Sequence, residues 1–155
     1  MNATAEDLYG MLVPLSGMRL LVPRGCVAEV VVSQQLQSPA SAPLWYLGSM
    51  SWGDRKLPVI SFEAACGNSL PIQSSRARVI VCVAITDHIG AGYFGLVSQG
   101  FPQLVKLGTD LVKPDPSSLP FGSRPILSQV RFINETALIP DFEQLELMIG
   151  REMPS

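Results

Sequence analysis

Short apolar runs, separated by turn residues, follow one another along most of the chain. Thirteen glycines and thirteen prolines punctuate these runs, which predicts an all-β domain of many short strands. The predicted strands are Met11–Pro14, Met18–Val22, Trp45–Trp52, Arg55–Ile60, Arg78–Ile85, Tyr93–Ser98, Leu104–Leu107, Ile126–Ile133 and Thr136–Ile139.

Three segments between these runs lack a strand pattern. Val27–Gln35 fits neither the helical nor the strand period, so we expect a short helix or an irregular turn there. Gln37–Pro43 and Lys113–Pro125 are predicted loops, and the second has four prolines. A loop as long as Lys113–Pro125 is unusual in a compact domain, and such loops often carry function.

One helix is predicted near the end of the chain. Asp141 is a suitable N-cap, and Gln144 completes a capping-box pattern three residues later. Gly150 is the expected C-terminal stop. The apolar residues that recur at helical spacing between them are Phe142, Leu145, Met148 and Ile149.

The segment around Gly53-Asp54 predicts a β-hairpin, because these two residues favour the tight turns that join antiparallel strands. With this turn, side chains that alternate along each strand form an apolar face and a mixed face. The pairs expected on the apolar face are Trp52 with Arg55, Met50 with Leu57 and Gly48 with Val59.

A short internal similarity links two parts of the chain. Ser61–Ala65 reads SFEAA and Asp141–Leu145 reads DFEQL, and each follows a turn and an apolar strand. Their spacing of 80 residues predicts two similar β-subdomains, each ending in a hairpin and a helical turn.

Composition narrows the class of partner. The 155 residues are 47% hydrophobic and 15% charged, and the net charge is −2. The low charge favours an apolar surface covered by a partner, and the lack of a basic run argues against nucleic acid. No apolar stretch is long enough for membrane insertion, and the start of the chain lacks a secretory signal. We therefore expect a cytoplasmic protein.

The titratable and nucleophilic residues do not form a catalytic or metal-binding motif. Cys26, Cys66 and Cys82 are widely spaced, and the single His88 has no nearby Cys, so we expect no metal and no cofactor. No nucleotide-binding or hydrolase motif is present, and Asp87-His88 lies in a predicted turn. The sequence therefore predicts a protein that is not an enzyme.

The hairpin tip has two interpretations. Trp52 and Arg55 stand opposite each other, so the guanidinium could stack on the indole. The pair is either a surface lid over the hairpin core or, together with Asp54 at the turn, a protein-binding site. Glu29 is either an exposed position on a short helix or a contact carboxylate paired with Arg55.

Several motifs together resemble the CheW-like domain of chemotaxis coupling proteins and of CheA regulatory domains. Val27–Val30 matches a V-x-E-[VI] segment, Pro43 a loop proline and Gly48 a strand glycine. Leu57–Phe62 resembles an L-P-V-[IV]-D-L segment, in which Ser61 replaces the aspartate. The end of the chain, VRFINETALIPDFEQLELMI, resembles the last hairpin and helix of the family. The resemblance covers residues 8–150.

The resemblance implies a mainly β fold of two packed, small, five-stranded SH3-like β-barrels with a C-terminal α-helix. Residues 1–155 would form one CheW-like domain of two intertwined β-subdomains, roughly 15–80 and 81–150. The implied function is a non-enzymatic adaptor between the cytoplasmic tip of a methyl-accepting chemoreceptor and the regulatory domain of a CheA-type histidine kinase. By position, Val27, Glu29 and Gly48 would lie on the receptor side. The protein itself would be recruited to membrane-associated chemosensory arrays.

The chain departs from the family pattern at the hairpin turn. The family has N-[LW]-R-G where this chain has Ser51-Trp52-Gly53-Asp54, so Gly53 replaces an arginine and Arg55 lies two residues later. This departure indicates a divergent adaptor, such as an accessory protein of a type IV pilus (twitching motility) system. The length leaves no room for a receiver domain, so we expect no CheV-type regulation. The alternative function is a small β-barrel protein- or peptide-binding module unrelated to chemosensing.

Overall fold

The computed structural model describes residues 9–34, 36, 38–108, 112–114, 121–132 and 135–153. These residues form eleven strands and two α-helices. The strands are β1 (Tyr9–Pro14), β2 (Arg19–Pro23), β3 (Val27–Val32), β4 (Tyr46–Trp52), β5 (Arg55–Ile60), β6 (Arg78–Val83), β7 (Tyr93–Ser98), β8 (Gln103–Lys106), β9 (Val112–Pro114), β10 (Ile126–Phe132) and β11 (Glu135–Pro140). The helices are α1 (Phe62–Ala65) and α2 (Phe142–Glu152), and a 3-10 turn, Arg24–Cys26, precedes β3.

The strands form two sheets. The first has the order β8-β1-β2-β11-β10-β9 and the second has the order β3-β6-β7-β5-β4. Neighbouring strands are antiparallel except for β2 with β11 and β5 with β7, which are parallel. The predicted mainly β class with a C-terminal helix is confirmed. The three-residue strand β9 gives the first sheet one strand more than the five predicted.

The internal similarity of the sequence extends to the structure. Each bound of β4 and β5 lies 80 residues before the corresponding bound of β10 and β11. Ser61 donates its backbone N–H to the carbonyl of Trp45 at 2.9 Å, and Asp141 donates to the carbonyl of Pro125 at 2.9 Å. Both side chains then cap the helix that follows. The two hairpin-and-helix units are therefore built in the same way.

The first sheet combines strands from two distant parts of the chain, whereas the second sheet is formed by one continuous segment. The first sheet uses residues 9–23 and 103–140, whereas the second uses residues 27–98. The predicted boundary between subdomains 15–80 and 81–150 falls inside β6 (Arg78–Val83) and follows neither sheet. The reason is that β2 pairs with β11, while the chain crosses to the second sheet at the turn Arg24–Cys26.

Three hydrophobic clusters fill the interior of the described part of the chain. One lies within each sheet, and the third contains residues from both sheets and both helices. Phe62 of α1 and Phe142 of α2 are buried in this central cluster, where the ring of Phe142 lies 5.3 Å from that of Phe94. The helices therefore hold the two sheets together.

The β4–β5 hairpin has the predicted register. Trp52 pairs with Arg55, Met50 with Leu57 and Gly48 with Val59 around the two-residue turn. The core-facing residues Met50, Leu57 and Val59 are buried, whereas Ser51 and Lys56 on the opposite face are exposed. Local turn chemistry was sufficient to predict this element.

One predicted element is wrong, and two others are wrong in part. Val27–Val32 is a strand rather than a helix or irregular turn, and a bulge between Val27 and Glu29 interrupts its period. The helix α2 does not stop at Gly150 but continues to Glu152. The predicted loop Lys113–Pro125 includes part of β9, and its residues 115–120 lie outside the described residues, as do Gln35 and Gln37.

Gly95 of β7 offers a test of packing against the neighbouring strands β5 and β6. A Cβ atom on Gly95 would lie 2.6 Å from a methyl of the fully buried Val79 and 3.2 Å from one of Val59. We expect Gly95→Ala to lower the free energy of unfolding by about 1–3 kcal/mol, because overpacking strains a filled core. Urea denaturation measures the change. Gly25→Ala is the control, since no atom lies within 4 Å of its added Cβ. An equal loss in both variants would contradict the packing explanation.

Candidate protein-binding site

Five residues meet at one end of the second sheet and form the hairpin-tip cluster. They are Glu29 of β3, Trp52 of β4, Arg55 of β5, Ala91 of the loop before β7 and Tyr93 of β7. Three of the five, Glu29, Trp52 and Arg55, are residues that the sequence indicated. The structure therefore brings together candidates that are up to 26 residues apart in sequence.

Glu29 and Trp52 connect the two edges of the second sheet. The indole Nε1–H of Trp52 donates to Oε1 of Glu29 at 2.9 Å. Because β3 and β4 are the outermost strands of this sheet, the bond shows that the sheet curls until its edges meet. The predicted pairing of Glu29 with Arg55 is wrong, since the carboxylate has the indole as its partner.

Arg55 contacts the loop and strand on the other side of the hairpin. Its Nη1 donates to the carbonyl of Ala91 at 2.8 Å, and its Cζ lies 5.2 Å from the ring centroid of Tyr93. The predicted stacking of Arg55 on Trp52 is therefore wrong, and Tyr93 takes the cation–π contact. The Trp52 ring also packs on Tyr93, with centroids 4.8 Å apart.

Tyr93 belongs to the site, although the sequence did not indicate it as a site residue. Its aromatic side chain follows the glycine-rich segment Gly90–Gly92 at the start of β7, which was a usable signal. Its neighbours could not be inferred, because they depend on the parallel pairing of β5 with β7. A parallel neighbour can come from a distant part of the chain, so turn chemistry does not identify it.

The hairpin-tip cluster covers one end of the hydrophobic cluster of the second sheet, and its outer side is polar. Trp52, Ala91 and Tyr93 are half-buried against the hydrophobic cluster of the second sheet. Glu29 and Arg55 are exposed. Asp54 is exposed in the adjoining turn. Aromatic and arginine side chains on one exposed surface are the types that are enriched at protein interfaces.

The other two predicted residues lie outside the hairpin-tip cluster. Val27 is half-buried and packs against the central hydrophobic cluster. Gly48 is buried where the register of β4 shifts, and its φ of +128° lies in a region that favours glycine. The structure therefore gives Gly48 a role in the backbone conformation of β4.

An apolar cleft of about 560 Å³ lies beside α2. The end of β2, the loop between β6 and β7, and the β10–β11 hairpin form its other walls. Ile85, Leu127 and Leu147 line this cleft although they are large and solvent-exposed, with 63% of Leu127 accessible. Asp141 and Glu143 contribute carboxylates to the lining. An exposed apolar surface of this kind is typical of a binding groove.

The three thiols are poor nucleophiles and poor metal ligands in this fold. Burial, and secondarily the nearby Glu146, raises the pKa of Cys26, and burial raises the pKa of Cys66 to about 11. Burial also raises the pKa of Cys82. Thiols with raised pKa values stay protonated at neutral pH, and the thiolate is the reactive form. Within the described residues no group of three His, Cys, Asp or Glu side chains could hold a metal ion.

The fold of two packed sheets agrees with comparisons to known proteins. The family model of the CheW-like domain matches residues 9–147. The chain belongs to the CheW-like family. The crystal structure of the scaffolding protein TtCheW from Thermoanaerobacter tengcongensis is similar to this CheW-like chain, with a TM-score of 0.77 and 16% sequence identity. The match covers 95% of this chain and 97% of TtCheW.

Family membership settles the general class of the protein. CheW-like proteins are scaffolds of chemotaxis that couple chemoreceptors to CheA-type kinases, and they are not enzymes. The predicted fold, the chemotaxis adaptor class and the prediction that the protein is not an enzyme are therefore confirmed. Among curated proteins, none matches the sequence. In the part of the chain that the structure describes, no helix is long and apolar enough to span a membrane.

The bond between Glu29 and Trp52 can be tested by stability measurements. We expect Glu29→Ala to lower the free energy of unfolding by about 0.5–1.5 kcal/mol, since one hydrogen bond between exposed groups is lost. Glu29→Gln keeps an oxygen acceptor and is the matched variant, so its loss is smaller. Urea denaturation of both variants, in the native and the Trp52→Phe backgrounds, forms a double-mutant cycle. Additive losses in this cycle would show that the two side chains do not interact.

The raised pKa of Cys66 predicts a loss of stability in alkali. The thiol has its ordinary pKa of 9.0 in the unfolded chain and a pKa of about 11 in the folded protein. The unfolded state therefore loses its proton first, and stability falls as the pH rises from about 9 to about 11. Urea denaturation at pH 8, 9, 10 and 11 should show this fall in the wild type and a weaker fall in Cys66→Ala. Identical pH profiles would refute the contribution of Cys66.

Proposed function

We propose that the protein couples the cytoplasmic tip of a chemoreceptor to the regulatory domain of a CheA-type histidine kinase. The observation that carries this proposal is the CheW-like match over residues 9–147, together with two adjoining exposed surfaces of the same fold. These surfaces are the hairpin-tip cluster and the cleft beside α2. Both lie on a fold that is similar to that of the scaffolding protein TtCheW.

The two surfaces adjoin through the loop between β6 and β7. This loop places Ile85 and His88 in the wall of the cleft, and its residue Ala91 binds Arg55 of the hairpin-tip cluster. We assign the receptor tip to this continuous surface, with apolar contacts in the cleft and polar contacts at Arg55 and Glu29. Val27 lies two residues before Glu29 on β3 and packs against the central hydrophobic cluster.

The mechanism is an equilibrium coupling between two bound partners. The adaptor holds receptor and kinase in a fixed geometry, so a change of receptor state alters the relative free energies of the kinase states. This role needs no catalytic group. It needs rigid surfaces. The second sheet offers such a surface, because the hydrogen bond between Glu29 and Trp52 joins its two edge strands.

We further propose that the protein works in a type IV pilus chemosensory system, as a cytoplasmic adaptor recruited to membrane-associated arrays. The support is the altered hairpin turn, in which Trp52 binds the carboxylate of Glu29 and Gly53 replaces the arginine of the family pattern. Deletion of the gene should then reduce twitching motility while swimming is unaffected. Reduced swimming with unaffected twitching motility would instead indicate that the protein works in a flagellar system.

Binding to purified partners tests the proposed function. We expect the protein to bind a CheA-type regulatory domain and a receptor cytoplasmic fragment from its own organism with Kd values on the order of micromolar. Arg55→Ala should weaken receptor binding roughly tenfold, because arginines at interface centres often contribute more than 1 kcal/mol. Isothermal titration calorimetry measures both affinities.

The chain offers matched controls for this experiment. Lys56 is the adjacent exposed cation on the opposite face of the hairpin, so Lys56→Ala should leave receptor binding unchanged. In the cleft, Leu127→Asp should weaken binding, whereas Ile72→Asp should not, since Ile72 is exposed outside the cleft. Binding of an unrelated peptide, with no complex to any kinase or receptor, would favour the alternative of a general peptide-binding module.

A further inference from the structure

The helix α2 holds the start of the loop between β6 and β7. Glu146 of α2 is fully buried, and its carboxylate accepts the backbone N–H groups of Ile85 and Thr86 at 2.8 Å each. It also accepts the hydroxyl of Thr86. A buried carboxylate is costly unless its oxygens are bonded, and these three donors satisfy it. The position of the first loop residues therefore depends on Glu146.

A second contact fixes the same loop one turn further along α2. A Cβ atom on Gly150 would lie 3.0 Å from the carbonyl oxygen of His88 and 3.2 Å from its Cβ. The glycine thus allows the loop backbone to lie directly on the helix. The helix and the loop are in close contact at two separate points.

The far end of the loop reaches the hairpin-tip cluster. The N–H of Gly92 donates to the carbonyl of Ile89 at 3.0 Å, and Ala84 donates to the carbonyl of Gly92 at 2.9 Å. Ile89 is buried in the central hydrophobic cluster. These bonds make the loop a compact unit, and the carbonyl of Ala91 in this unit accepts Nη1 of Arg55. The loop therefore joins Glu146 at one end to Arg55 at the other through a continuous series of contacts.

We propose that Glu146 is a positioning residue for the hairpin-tip cluster, acting through the loop between β6 and β7. The carboxylate fixes Ile85 and Thr86, the closed loop carries Ala91, and Ala91 orients the guanidinium of Arg55 over Tyr93. The importance of this arrangement for partner binding rests on the proposed function. The positioning itself is a property of the free protein.

Glu63 of α1 is a matched control in the same molecule. It is also buried, and its Oε2 accepts the N–H of Ser16 at 2.9 Å while its Oε1 accepts the hydroxyl of Ser61 at 3.3 Å. Ser16 lies in the turn between β1 and β2 of the other sheet. The two carboxylates thus hold comparable turns, but only the turn held by Glu146 leads to Arg55.

Nuclear magnetic resonance of the two indole groups tests the positioning. In ¹⁵N-labelled protein, Trp45 and Trp52 each give one indole N–H signal, and Trp45→Phe assigns them. The Trp52 signal reports on the tip, because its indole bonds to Glu29 and its ring packs on Tyr93. We expect Glu146→Gln to shift this signal and Glu63→Gln to leave it in place, although both variants lower the urea midpoint.

Gly150→Ala keeps the test decisive if Glu146→Gln does not fold. Alanine favours the helical conformation, so this variant preserves α2 while its methyl group pushes on His88. A shifted Trp52 signal in Gly150→Ala supports the positioning, and an unchanged signal in every variant that folds overturns it. Titration with the receptor fragment is read separately. If the indole shifts occur but even the wild type binds no fragment, the proposed function fails and the positioning by Glu146 stands.

Discussion

The central hydrophobic cluster is the constraint on which the other features depend. It contains residues of both sheets, and Phe142, Leu145 and Ile149 attach α2 to it. Glu146 lies on the same buried face of α2 as these three residues. The loop between β6 and β7 supplies the hydrogen-bond donors that make the burial of its carboxylate tolerable. The cleft and the hairpin-tip cluster lie at the two ends of this loop, so packing in the core determines their relative position.

Elements that are defined by residues close together in sequence were predicted correctly, whereas elements that are defined by pairing with distant segments were not. The β4–β5 hairpin was predicted to its register because Gly53-Asp54 encodes the turn and the alternation encodes the face. The strand β3 was missed because a bulge after Val27 breaks its period and only pairing with β6 defines it. The parallel pairs were not predictable from local patterns, because they join segments that are distant in sequence.

The same distinction applies to the candidate site. The residue types at the tip, an exposed arginine beside an aromatic residue, were visible in sequence, but the contacts of Arg55 and Glu29 were assigned to the wrong partners. Pairing across the hairpin placed Arg55 opposite Trp52, whereas curling of the sheet brought Glu29 to Trp52 and parallel pairing brought Tyr93 to Arg55. Gly48 was identified by its position in a family motif, and the structure shows the conformational reason for glycine there.

The position of the strands along the chain also determines which sheet can form first during synthesis. All strands of the second sheet lie within residues 27–98, so this sheet can assemble while the later residues are still on the ribosome. The β1–β2 hairpin is made first, yet its neighbours β8 and β11 emerge afterwards. The β1–β2 hairpin therefore keeps two unpaired strand edges until β8 and β11 have been synthesised, and Gly10, Leu12 and their neighbours must avoid aggregation during that interval.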